Sequence, residues 1–122
     1  MEFYRFDQEV GMQITKFDSN FVMSRLIQTS KDAHIGCMHL PANGVVGYHQ
    51  AVSPQLMIIM SGEGQVRSGN GNEVRVKAGE AVFWAKGEWH ETKTAAGLTA
   101  IVIESDELTP AVHMPVREPI SE

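Results

Sequence analysis

The chain has 122 residues, 43% of them hydrophobic and 20% charged. These are the proportions of one ordinary globular domain over 1–122 and not of a disordered or fibrous chain. The formal charge is −5 and the ten Lys and Arg form no cluster, so a phosphate-binding surface is missing and nucleic acid is not an expected partner.

Cys37 is the single cysteine; it cannot form an internal bridge, which suits a reducing compartment. The opening MEFYRFDQEV carries acidic residues where a secretory leader would carry basic ones. The longest apolar run, Leu56 to Met60, is far too short to cross a bilayer. A soluble cytoplasmic protein with no membrane partner is expected.

In chain order, Gly and Pro separate segments that read as strands: Phe21–Gln28, Ile35–Leu40, Gly47–Val52, Gln55–Ser61, Gly64–Ser68, Glu73–Lys77, Ala81–Ala85, Trp89–Thr94 and Leu98–Glu104. The clearest local signal is a pair of alternating runs around Ser68-Gly69-Asn70-Gly71-Asn72, a hairpin whose Gly and Asn can hold positive φ. No sustained 3.6-residue apolar stripe argues for an amphipathic helix. The pattern predicts an all-β sandwich or barrel. The tail over 105–122 contains Pro110, Pro115 and Pro119 and is expected to run extended over the surface to a frayed end.

Five histidines are the main chemical resource, and two sit in informative contexts. His49 follows Gly44 and precedes Gln55 and Gly62; His90 follows Gly79 and Gly87. Each lies beside a turn with an alternating apolar strand attached. Here the sequence resembles the cupin superfamily, whose motifs are Gly-x5-His-x-His-x3–4-Glu-x6-Gly and Gly-x5-Pro-x-Gly-x2-His-x3-Asn. His49, Ala51, Gln55 and Gly62 fall on the first spacing, with Gly44 one residue nearer to His49 than the consensus places it. Gly79, Gly87 and His90 fall on the second, where Ala85 replaces proline and Thr94 asparagine. The resemblance covers 44–94 closely. It implies a single RmlC-like domain, a double-stranded β-helix or jelly-roll barrel.

The same resemblance implies a pocket and a metal question. Family members commonly hold one divalent ion on two histidines, a glutamate and the second-motif histidine. Carried over, the ligands are His49, Gln55 and His90, because Ala51 has no donor atom and Gln55 stands where the carboxylate would be. Two imidazoles and an amide are neutral, so an ion (Zn, Ni, Fe, Mn or Cu) would keep its full charge in a low-dielectric barrel and bind weakly, or no ion binds. Tyr48, Ala51, Met57, Trp84 and Thr92 are expected to line a pocket for a small molecule.

Fold does not give function. The leading expectation is a small-molecule-binding barrel around a weak metal site, its reaction unassigned. The alternatives are a non-catalytic binding or sensing protein with a decayed metal site, and a metal-free isomerase or epimerase using His49 or His90 as base and Tyr48 as acid. Cys37 near His39 reads as a buried, inert thiol, and Glu88 and Glu91 as solvated turn charges. A homodimer is expected. Gln55–Ser61 is apolar on both faces, so the second face needs a cover from the other sheet or another subunit, part of which Phe3, Tyr4 and Phe6 would supply by crossing to a partner.

Overall fold

The structure is a computed structural model that describes residues 1–118 of the chain. Ten strands follow in order: β1 (Glu2–Arg5), β2 (Met12–Ile14), β3 (Phe21–Met23), β4 (Ala33–Leu40), β5 (Val45–Gln50), β6 (Gln55–Ser68), β7 (Val74–Lys77), β8 (Glu80–Trp84), β9 (Trp89–Lys93) and β10 (Leu98–Ser105). The all-β architecture predicted from the pattern, and the jelly roll that the resemblance implied, are what form. One sheet runs β1-β8-β6-β10-β4; the far half of β6 leaves it to pair with β7 and β9, and β9 carries β5.

Two expected strands, Gln55–Ser61 and Gly64–Ser68, are one 14-residue strand. Gly62 at φ +83° lets β6 turn from one sheet into the other without breaking. Just before it, Ser61 opposes Thr99 while Ile59 opposes Ala100. Met60 is the extra residue of this bulge and points out, 53% exposed. The hairpin around Gly69 is as expected, with Val66 opposite Val74.

Met57 and Ile59 face the barrel interior with Val66, Val76, Trp84 and Ala100, while Leu56 and Ile58 belong to a second cluster on the outer face. Each of these four β6 side chains is no more than 1% exposed, a burial worth about 1.5–3 kcal/mol apiece.

The outer cover is supplied by the chain itself, which revises the expectation that Phe3, Tyr4 and Phe6 cross to a partner. β1 pairs with β8, Tyr4 opposite Ala81, and Tyr4 is buried in the second cluster beside Leu108 and Met114, with Phe6, Leu26 and Ile27 packed against it. Phe3 packs instead against the inner cluster. The strand expected over Phe21–Gln28 stops at Met23 because Leu26 and Ile27 turn onto this cluster instead of continuing the β2–β3 ladder.

The tail is also more than an extended surface run. It makes a 3₁₀ turn at Pro110–Val112, buries Met114, and bridges Val116 to Tyr4. Arg117, 6% exposed, bonds Glu80 at 2.9 Å and the Arg75 carbonyl at 2.8 Å, and lies 4.4 Å over the Phe3 ring. The expected frayed end, with Pro119, lies outside the described residues. No helix among them is long and apolar enough to cross a membrane.

Candidate functional site

β5 and β9 pair as His49 opposite His90, but Val46 opposes Thr92, so β5 holds one residue more than β9 over this stretch. That bulge at Gly47–Tyr48 shifts the alternation. It turns His49 to the inner side that Val46 also faces and sends Tyr48 outward. Tyr48 therefore stacks on Trp89 at 5.4 Å with the Arg67 guanidinium 4.5 Å above its ring. It does not line the pocket, and the acid role expected for it has no geometry here. Ala51 is also outside the lining. It lies past the end of β5, buried, its N–H donating to Glu88 O and its carbonyl accepting from Gly87 N.

His49, Gln55 and His90 do converge. They border one cavity of about 300 Å³ together with Met57, Trp84 and Thr92. The His49 and His90 ring centroids are 4.5 Å apart, and the Trp84 ring lies 4.1 Å from that of His90 with the planes tilted by 30°. His90 is 2% exposed and neither ring nitrogen has a hydrogen-bond partner; the buried Trp84 Nε1 has none either. Burial, helped by the adjacent His49, pulls the His90 pKa down to about 4 against a smaller upward pull from Glu88, so its imidazole is neutral at physiological pH.

His49 Nδ1 lies 2.7 Å from the Gly47 carbonyl oxygen. A carbonyl only accepts, so in the neutral ring Nδ1 carries the proton and Nε2 keeps its lone pair for a ligand. Gln55 is oriented the same way. Its Nε2 donates to Glu104 Oε1 at 3.1 Å, and because a carboxylate cannot donate, the Gln55 carbonyl oxygen is left as the free end.

Glu104 is the site residue that the motif reading missed. It lies on β10 opposite Gln55 and borders the same cavity. The signal was available: Leu98, Ala100, Val102 and Glu104 share one face of an alternating strand, and a charge on a barrel-facing position needs a reason. Met38, Val46 and Val102 complete the apolar wall. Cys37, also at the cavity, is exposed and not the buried thiol expected. The expected solvated charges are bonded instead: Glu88 accepts from Ser68 Oγ at 2.5 Å and Ala85 N at 3.0 Å, and Glu91 accepts from Arg67 Nε at 3.1 Å. Trp89 is half exposed and Phe83 packs on the outer cluster, so neither lines the pocket.

A two-sheet all-β barrel with this strand order belongs to the double-stranded β-helix class of folds. The chain belongs to the cupin superfamily: the model of the cupin domain matches residues 36–104. Among solved structures, a cupin superfamily protein from Desulfitobacterium hafniense superimposes with a TM-score of 0.58 at 11% identity, over 66% of this chain and 72% of that one. A double-stranded β-helix protein from Klebsiella pneumoniae gives 0.57 at 16% identity over 79% and 84%. A predicted oxalate decarboxylase from Thermotoga maritima gives 0.54 at 28% identity, over 58% of this chain and 64% of that one. No curated protein matches the chain.

Cupins often bind a divalent metal, and the residues present meet that requirement only in part. His49 Nε2 is oriented as a ligating nitrogen, its other nitrogen tied to a carbonyl in the way metal-binding histidines usually are. The rest of the family's donor set is incomplete: Gln55 offers a neutral carbonyl oxygen in place of a carboxylate, and among the described residues no group of three His, Cys, Asp or Glu side chains is placed to hold an ion. The donor set does not fit the family's full metal site.

Proposed function

We propose that this cupin binds a small organic molecule in the cavity bordered by His49, Gln55, His90 and Glu104. The observation that carries the reading is the cavity itself. Its apolar wall of about 300 Å³ meets polar side chains from β5, β6, β9 and β10 at one end, the arrangement of a ligand pocket at the small end of the usual range. At the roughly 30 Å³ that a water occupies in the liquid, it accommodates a ligand of about ten non-hydrogen atoms. The description of the Thermotoga protein as a predicted oxalate decarboxylase does not transfer readily. Oxalate is a dianion, and the charged side chain bordering this cavity is Glu104. No reaction is assigned.

Filling the cavity tests the reading. A thermal-shift screen of small acids, amines, alcohols and sugars should find at least one ligand for the wild type. Val102→Phe, which projects a ring into the space, should lose it while staying folded. A ligand that binds both proteins equally would place its site elsewhere.

A second reading keeps a divalent ion, held by His49, His90 and Gln55. It is favoured by the free His49 Nε2 and by the two unpartnered nitrogens of His90, since buried polar atoms without partners call for an explanation. The neutral donors predict an affinity that a common chelator overcomes. Competition against a fluorescent chelator with Zn or Ni should show metal binding that falls in both His49→Ala and His90→Ala. Equal binding by both variants would remove these ligands from consideration.

A further inference from the structure

The hydrogen bonds that orient the cavity's polar side chains also decide what they can recognise. His49 presents a lone pair at Nε2, because Nδ1 is turned to Gly47 O. Gln55 presents its carbonyl oxygen, because its NH₂ is turned to Glu104. Glu104 presents carboxylate oxygens, and among the described residues it has no cationic partner. Its cross-strand neighbours are Gln55 and His34, and only Gln55 reaches it. The nitrogen donors nearby, Trp84 Nε1 and both His90 nitrogens, are buried, which leaves the exposed Cys37 thiol as a weak donor. Thr92 adds a hydroxyl, which serves in either direction.

From this inventory we infer that the cavity is selective for a small apolar amine, bound as its ammonium ion with the charged end against Glu104 and Gln55 and the hydrocarbon against Met38, Met57 and Val102. The inference rests on the pocket reading above and adds the ligand class to it. An ammonium offers three donors to a wall made of acceptors and neutralises a half-buried carboxylate that otherwise has only an amide to offset it. A carboxylic acid of the same shape brings a second negative charge beside Glu104 and meets no accessible cation. An alcohol fits the wall but leaves the charge unmatched.

The probes are matched sets of the right size: 2-phenylethylamine, 2-phenylethanol and phenylacetate, with hexylamine, hexanol and hexanoate as the aliphatic series. Titration calorimetry is run at pH 7.5 with EDTA present, so that no bound metal contributes. Wild type should bind the better amine at least about tenfold more tightly than its alcohol, and the acids least of all. Glu104→Gln keeps the side chain's size and a partner for Gln55. It should weaken the amine about tenfold and leave the alcohol within a factor of about two. An acid that binds as tightly as its amine would overturn the inference while leaving the pocket reading intact, and so would an amine affinity unchanged in Glu104→Gln. If none of the six binds while another small molecule is displaced by Val102→Phe, the amine selectivity is again wrong. If no small molecule binds at all, the pocket reading fails and takes this one with it.

Discussion

At the scale of single residues, His90 carries the largest consequence. Its ring is enclosed between Trp84 and His49 with no partner for either nitrogen. Desolvation therefore dominates and lowers its pKa from 6.5 to about 4. The unfolded chain takes up this proton as the pH falls below 6.5, while the native chain resists until about pH 4. Between those values the unfolded state binds more protons, so stability falls as the pH is lowered. The contribution from His90 alone is on the order of 3 kcal/mol across that window, fully present above pH 6.5 and lost by pH 4. Urea unfolding midpoints measured from pH 7.5 to 4 should show this slope in wild type. In His90→Phe, which cannot titrate, the two curves should converge as the pH falls. Parallel curves would mean that the ring is not held neutral.

At the scale of elements, two irregularities set the site. The bulge in β5 turns His49 inward and Tyr48 outward. The bend at Gly62 allows β6 to carry Gln55 and Met57 in one sheet and Val66 and Ser68, the latter opposite His90, in the other. Gly62 has φ +83°, and a Cβ there would run into the carbonyl oxygen of Gly97. Gly62→Ala combines a left-handed backbone penalty with a backbone clash and should cost about 2–4 kcal/mol. Gly36→Ala, on edge strand β4 with nothing within 4 Å of the added methyl, should change stability by less than about 0.5 kcal/mol. Denaturant titrations of the two variants give the comparison; equal losses would mean that the bend is not a tight contact.

At the scale of the whole molecule, the ends of the described chain close the fold. β1 and the tail cover the outer face of β6, and Arg117 fastens the tail through a buried ion pair with Glu80. Its Nε and Nη2 have no partner, so the pair already carries part of its desolvation cost. Removing one member leaves the other charge buried and unmatched. Arg117→Leu should cost about 3–5 kcal/mol, read from the urea midpoint. Adding Glu80→Gln, which removes the stranded charge but still accepts from Lys77 N–H, should recover most of the loss. A double variant as unstable as the single one would show that Arg117 acts through its packing on Phe3 and not through charge.

Much of this architecture was readable from local information. Period-two alternation marked most of the strands and Gly and Asn marked the hairpin turn, because strand geometry and positive-φ turns depend on a few neighbouring residues; the grouping of His49, Gln55 and His90 came from the resemblance to the cupin motifs. What could not be read depended on pairing between distant segments. A bulge is a property of two strands, so no local pattern showed that the β5–β9 pairing sends Tyr48 outward, and alternation set Ala51 beside His49 although the ladder ends at Gln50. Glu104 joins the site because β10 lies beside β6, a neighbour nearly fifty residues away along the chain. The cover on β6 stayed open between the other sheet and a second subunit because no local pattern shows that β1 and the tail return to the outer face. The choice between neighbours that look alike in sequence is made by long-range packing, where burial of Tyr4, Leu108 and Met114 outweighs any local preference.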